Sequence, residues 1–439
     1  MSIELTTLLI FGSLIVVLLA GVPLTFALAG IAAIFAFFLW GPNSLSMFAG
    51  SMFRYMTSFV LVALPLFFFM ANVLERSGIA DDLYELMYKW MGPTRGGLAI
   101  GTVNISTIMA AMSGISGAAC VTMGLIALPS MLKRNYDKDI ALGSIMAGGA
   151  LGVLIPPSVP MILYGFFAQE SVGRLFAGGI MPGLLLSGMF IIYIYIRCGF
   201  RPSLGPPIPQ EDRANWQEKF SLLRSLILPV ILIILVLGSI FSGLATPSEA
   251  AALGALGSLL CAMIKRQFSW KTLRQASYQS LRLTCLVLWI VAGAALFVSV
   301  YTAVGAPELI KNVIASLPVN RWVIMIGIQA LLFLLGCFMD PGGIIMLTTP
   351  VLVPVIATLG FDPIWFGVIF IVNMEMAFLT PPFGMNLFYM RGIVPPEVSM
   401  VDIINSVWPF VALQAVGLII CMAFPQIILW IPNLLLGAS

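Results

Sequence analysis

The sequence predicts an all-α polytopic membrane protein, built as an inverted repeat of five spans plus one re-entrant hairpin in each half. Three observations lead there. The chain of 439 residues is 60% hydrophobic and 9% charged, with a mean hydropathy of +1.07, whereas soluble domains carry about 25% charged residues. Apolar runs of 17 or more residues recur along the chain, long enough to cross a hydrocarbon core of ~30 Å. One order of helix-breaking motifs also occurs twice, 225 residues apart.

The apolar runs come in two sets. The first is 5–20, 22–40, 57–74, 98–113, 117–132, 140–169 and 175–196. No basic stretch precedes residues 8–19, so the first run is expected to be a retained span rather than a signal peptide. The second set is 226–244, 247–264, 283–300, 322–338, 341–359, 364–390 and 403–435. Between the third and fourth runs of each half lies a short amphipathic piece, "IADDLYELMYKWMG" and "APELIKNVIASLP". Each reads as an interfacial helix or as a plain loop. Residues 197–225 are rich in proline and charge and read as a linker between a first repeat, 1–196, and a second, 226–439.

The halves align by register. At a shift of 225, Gly117 falls on Gly342, Pro129 on Pro354, Asp137 on Asp362, Pro156 and Pro157 on Pro381 and Pro382, and Tyr164 on Tyr389. One residue less brings Pro23 onto Pro247 and Gly30 onto Gly254. The small, polar junctions "SGISG" (113–117) and "MDPGG" (339–343) suit the tips of re-entrant hairpins. Each half then crosses the membrane an odd number of times, which inverts the second relative to the first. With the linker in the cytoplasm, 17 of the 21 Lys and Arg lie inside; Arg54, Arg174, Lys311 and Arg321 lie outside. That is the bias expected of a correct orientation, with both termini periplasmic. Full spans in place of the hairpins would leave these sides unchanged.

The second break motif of each half sits deep in an apolar run: "LIPPSVP" in a stretch without charge from Ile140 to Gln169, and "LTPPFGM" 225 residues later. Proline removes an N–H and frees carbonyls of the preceding turn. Irregular backbone at membrane depth survives only where protein or a water-filled cavity surrounds it. Freed carbonyls suit a cation such as Na⁺, and half-helix N-termini suit an anion. Tip and break are expected to face each other within each half. Ser113, Ser116, Gly152, Ile155 and Pro157 form one candidate cation site; Met339, Gly342, Ala377, Thr380 and Pro382 form the second. Packing of helices through small residues is the alternative reading of the serines.

Candidate solute contacts are Ser116, Gly117, Ser158, Asp340, Gly343, Asn373, Glu375 and Asn386. An ionised group inside the membrane is costly and marks function by default. Asp340, at a tip, is the leading acid, whereas Glu249 follows Pro247 at a helix start, where an acid suits the dipole. Asn residues in spans also serve as glue between helices.

Other chemistries are excluded or disfavoured. There is no histidine and no CxxC among the six cysteines, which removes histidine metal sites and acid–base work. No GxxxxGK[ST] loop is present, so no nucleotide is expected to bind as in a P-loop. Nothing suggests nucleic acid. The energy source must be an ion gradient or another chain. A membrane enzyme lacks its cluster of catalytic groups, and a passive channel would not call for two cation sites.

The stretches "GALGVLIPPSVPMILYG", "MDPGGIIMLTTPVLVPV", "LTPPFGMNLF" and "GLATPSEAAALGALG" resemble the large membrane subunit of tripartite ATP-independent periplasmic (TRAP) transporters, over residues 8–432. The resemblance implies an elevator-type secondary transporter of the bacterial inner membrane, with a scaffold and a mobile transport domain holding hairpins and breaks. It implies two or more coupling Na⁺ ions near the tips and a small organic solute, an organic acid, between them. It also implies two partners besides the lipid bilayer: a small four-helix membrane subunit and a soluble periplasmic substrate-binding protein. The alternative is a self-sufficient ion-coupled anion carrier of related architecture. Neither hairpin nor break contains Lys or Arg, so a carboxylate there would rest on dipoles, serines and the charge of bound Na⁺.

Overall fold

The computed structural model describes residues 2–316 and 318–437. It is 81% helix, with no strand among the described residues. The first half runs α1 (Ile3–Leu19), α2 (Leu24–Trp40), α3 (Ser46–Met56), α4 (Ala63–Glu75), α5 (Ile79–Met91), α6 (Gly97–Ser113), α7 (Ser116–Lys133), α8 (Lys138–Ala150), α9 (Val159–Ala168) and α10 (Val172–Phe200). Next, α11 (Trp216–Leu222), α12 (Ile227–Ile233) and α13 (Ser239–Phe241) are parts of one apolar stretch, Trp216–Phe241. The chain continues through α14 (Pro247–Ile264), α15 (Trp270–Ala303), α16 (Ala306–Ser316), α17 (Arg321–Gly336), α18 (Pro341–Thr358), α19 (Pro363–Ala377), α20 (Met385–Arg391), α21 (Met400–Ala423) and α22 (Gln426–Leu436).

Among the described residues, seven helices are long and apolar enough to cross a membrane, or eight if the bent pair Pro42–Met56 and Phe59–Glu75 counts as one span. Others are shortened by breaks: at 1.5 Å per residue, the 15 residues of α19 reach only about 22 Å. The element pattern recurs. α7 and α18 both contain 18 residues and start 225 apart (341 − 116).

Helix starts follow from capping chemistry. Thr246 and Glu249 form a reciprocal capping box ahead of α14, with Pro247 in its first turn; Glu249 is thus a structural acid. Asp362 caps α19 by accepting from the Trp365 N–H at 2.9 Å. Asp137, Ser171, Ser269 and Ser399 do the same for α8, α10, α15 and α21. Each such cap stabilises a helix by about 0.5–2 kcal/mol.

Small residues then decide which helices touch. In α15, Gly293 leaves room for the Thr25 backbone of α2, and in α14, Gly254 lies against Met70 of α4. These helices form a frame. A second group encloses the breaks. There, Gly143 of α8 sits under Phe410 and Ser406 of α21, Gly149 against Cys120 of α7, and Gly178 of α10 against Val368 of α19. Large apolar side chains such as Leu8, Phe38, Phe53 and Ile419 remain exposed, as suits surfaces that face lipid.

Three features depart from the sequence reading. The run 403–435 is two helices, because Pro425 interrupts it between α21 and α22. α3 lies in a stretch too polar to stand out as a span. The linker is shorter in coil than its composition suggests: α10 extends to Phe200 and helix resumes at Trp216.

That connecting segment is pinned down rather than loose. Gly96 N–H donates to Gly205 O (2.8 Å), Asp137 N–H to Leu204 O (3.0 Å) and Ile208 N–H to Gly92 O (2.9 Å). Arg134, at the end of α7, pairs with Asp212, and Tyr88 of α5 bonds to the same carboxylate at 3.3 Å. The hydrogen bond from Arg134 holds the Asp212 carboxyl below the usual carboxylate range. A lowered folded pKa means the clasp is at full strength above the ordinary value of about 3.9 and fades as pH falls through the lowered one.

Two outcomes follow from this packing. Gly143→Ala should lower the detergent melting temperature, because a methyl against Phe410 and the Ser406 carbonyl costs about 1–3 kcal/mol, more than the ~1 kcal/mol gained in helix propensity. Asp212→Asn at neutral pH should lower the protection factors of the Gly96 and Ile208 amides against hydrogen exchange, as acidification does for the parent once intrinsic rates are divided out; unchanged protection would show that the backbone bonds hold the segment alone.

Candidate functional site: two broken helices and two hairpin tips

The first tip is the turn Gly114–Ile115 between α6 and α7. Gly114 has φ +68°, in the left-handed region that favours glycine. A side chain there would run into the Pro157 carbonyl. Across from it, a Cβ on Gly152 would stand 3.0 Å from the Ile115 carbonyl and 3.1 Å from the Ser116 nitrogen. Tip and break therefore touch through two glycines.

The break itself runs from Leu151 to Ser158, with a cis peptide between Pro156 and Pro157. Ser158 restarts the helix: its Oγ accepts from the Met161 N–H at 3.3 Å and donates to the Val153 carbonyl. Among the described residues, the Gly152, Ile155 and Pro157 carbonyls accept no hydrogen bond. These free oxygens fit a hard cation. The Ile155 side chain packs away from the tip, against Gly183 of α10. Ser113 is buried, with its hydroxyl bonded back to Met109 O at 2.8 Å.

The second tip is built differently. Asp340 caps α18, accepting from the Gly343 N–H at 2.9 Å, with Pro341 in the first turn. The leading acid of the sequence thus has a structural task at the tip. Phe383 N–H donates to Cys337 O at 3.2 Å, and Gly336 lies against Ala377, so this tip also touches its break. Pro381–Pro382 is cis as well. Here the carbonyls are engaged: Thr380 N–H donates to Ala377 O (3.4 Å) and Gly384 N–H to Thr380 O (3.0 Å). Among the described residues the Pro382 carbonyl accepts none. Met339 is half-buried, Gly342 adjoins the Asp340 carboxylate, and Gly343 packs against Leu24 of α2.

The halves also interlock, which the sequence reading missed. Asn386 of α20 is buried and links both halves: Ser116 Oγ donates to its Oδ1 at 2.9 Å, and its amide donates to Met146 O at 3.0 Å. Tyr389 packs on Gly117, and Tyr164 on Gly367 with its hydroxyl on Pro363 O at 2.8 Å. The segment after each break thus rests on the other half. The repeated Tyr164/Tyr389 pair was the available signal.

The family model for the DctM component of the tripartite ATP-independent periplasmic transporters matches residues 11–427. The chain belongs to this family of TRAP large permeases. It is 32% identical to the C4-dicarboxylate TRAP transporter large permease protein DctM of Vibrio cholerae, over 100% of this chain and 99% of that one. It is also 32% identical to the protein of that name from Pseudomonas aeruginosa, over 92% and 93%. The ectoine TRAP transporter large permease protein TeaC of Halomonas elongata is 29% identical over 98% and 99%. Among solved structures, the YdaH transporter of Alcanivorax borkumensis superposes with a TM-score of 0.66 at 16% identity, covering 96% of this chain and 99% of that one. That likeness concerns the fold alone. The protein is a multi-pass membrane permease of a bacterial TRAP family.

Two candidate residues of this TRAP permease lie apart from the tips. Asn373 gives its amide to Gln329 of α17, 2.8 Å from the backbone oxygen and 2.7 Å from Oε1. Glu375 is fully buried in α19, and neither carboxylate oxygen has a hydrogen-bond partner among the described residues. Gln414 of α21 is equally buried and equally unpartnered. Sequence reasoning passed over Gln329 and Gln414, although each is a lone amide in an apolar run.

Ser116→Ala and Asn386→Ala should be non-additive in thermal stability, with a coupling of roughly 0.5–1.5 kcal/mol, the worth of one buried hydrogen bond. Additive losses would show that the link contributes nothing.

Proposed function

We propose that this permease imports a small organic acid across the inner membrane by Na⁺ symport, in an elevator movement of the group holding both breaks against the frame. The repeats are residues 1–196 and 226–439, inverted about the linker 197–225, with both termini on the periplasmic side. The partners are a small four-helix membrane subunit and a soluble periplasmic binding protein that delivers the solute.

One observation carries the reading: two broken helices, each touching a hairpin tip, with free carbonyls at Gly152, Ile155 and Pro157. Broken helices of this kind bind coupling ions in secondary transporters. Na⁺ in the first region is held by those three oxygens with the hydroxyls of Ser113 and Ser116. A second ion meets Met339, Gly342, Ala377, Thr380 and Pro382, where the Met339 and Pro382 carbonyls accept no hydrogen bond among the described residues. The solute carboxylate lies between them, near Ser116, Gly117, Ser158, Asp340, Gly343 and Asn386, favoured by the N-termini of α7 and α18. An acid as solute accords with C4-dicarboxylate in the names of relatives at 32% identity. Ectoine and sialic acid in the names of others leave the particular acid to the binding protein.

The test is uptake into liposomes holding both membrane subunits, with the binding protein and the acid it binds outside. Uptake should collapse when K⁺ replaces Na⁺, and Gly152→Val should abolish it while leaving a folded, monodisperse protein, since the added branch meets Ile115 and Ser116. Undiminished uptake in K⁺ would end the Na⁺ reading, and uptake without the binding protein would favour a self-sufficient carrier.

A further inference from the structure

Between the frame and the first hairpin tip lies a cavity of about 200 Å³. Asn72 and Glu75 of α4 and Gln279 of α15 wall it on one side; Ile115 and Gly117, the neighbours of Ser116, wall it on the other. Gln279 also lines a second, larger and open cavity of about 720 Å³, together with Arg76, Lys271, Arg274 and Gln275. The two spaces therefore share one side chain as a wall. At the same junction, the Arg76 guanidinium donates to Asn72 O at 2.7 Å and stands 3.3 Å from Glu75.

The charges along this path are uneven. Glu75 faces the inner cavity with Arg76 beside it. The outer cavity has three cations and no acid on its lining. Among the described residues, neither Lys271 nor Arg274 has an acidic partner within ion-pair distance. Clefts lined by one sign of charge concentrate counter-ions by focusing the field. Basic side chains at a membrane face also attract acidic lipid headgroups. Against that use stands the position of the path: it begins at the tip that carries Ser116 and passes two amides, Asn72 and Gln279.

We propose that Arg76, Lys271 and Arg274 form an anion-attracting exit vestibule for the transported carboxylate, reached from the first hairpin tip past Asn72 and Gln279. This rests on the proposed import of an organic acid and on the linker side being cytoplasmic. The vestibule stabilises the anion in transit between the tip and the linker face, so it lowers the barrier for passage, product release included, rather than setting affinity at the ion sites.

The test uses Gln279→Cys in the assembled complex, in membrane vesicles of both orientations, with the parent complex as blank. Thiol reagents of similar size are compared, a negatively charged methanethiosulfonate ethylsulfonate and a positively charged methanethiosulfonate ethyltrimethylammonium, each scaled to its rate with free cysteine. From the linker face, the anionic reagent should react faster, and Lys271→Gln with Arg274→Gln should lower the ratio roughly ten-fold. Millimolar succinate should slow the labelling. A ratio indifferent to those two substitutions would overturn the proposal. So would protection by phosphatidylglycerol without protection by succinate, which would mark a lipid headgroup site, and so would labelling only from the opposite face. Labelling needs no transport, so absence of a charge preference in Gln279→Cys with Lys271 and Arg274 in place, alongside normal Na⁺-driven uptake, removes the vestibule and leaves the transport reading standing. Loss of Na⁺-driven uptake with the preference intact removes the transport reading instead.

Discussion

A peptide group taken out of water needs a hydrogen-bond partner or a charge to replace it, at a cost of several kcal/mol when it finds neither. This chain interrupts two helices far from its ends, at 151–158 and 378–384, so the surrounding structure must supply what the helix no longer does. Protein encloses the first interruption and most of the second, where Pro382 and Phe383 remain exposed. Ser158 and Thr380 give hydroxyls to nearby carbonyls, and hairpin tips close over the breaks through Gly114, Gly152 and Gly336. The oxygens left over in the first break are the feature that the proposed ion binding depends on.

The same constraint explains the interlock. A segment restarted after a break is short: ten residues in α9 and seven in α20. Neither can span a bilayer or stand alone, so each borrows a surface. Tyr164 lies on Gly367, and Tyr389 lies on Gly117. Ser116, Asn386 and Met146 then tie the first tip to the second half. The two breaks become parts of one packed group, and the frame of α2, α4, α14 and α15 meets that group across a cavity at the first tip. Movement of one against the other, as proposed, would leave the ion regions intact and alter this boundary.

The pinned segment 201–215 belongs to the same picture. It joins the two halves in sequence, yet it bonds to the ends of α5, α7 and α8.

Composition and run length by themselves determined that the chain is helical and crosses a membrane repeatedly, because apolar stretches of this length have few other stable states. Proline pairs at one spacing located both breaks, and "SGISG" and "MDPGG" located both tips, because backbone chemistry is local. The helix start at Pro247 and Glu249 was readable for the same reason, and the caps at Asp137, Asp340, Asp362 and Ser399, though not read, are as local. Only the tertiary structure decided that Asn386 bonds to Ser116, that Asn373 belongs to Gln329, and that Glu375 is enclosed without a partner. Those outcomes depend on which helix faces which. That is set by the fit of glycines to side chains far away in the chain, a fit that spacing along the sequence does not encode.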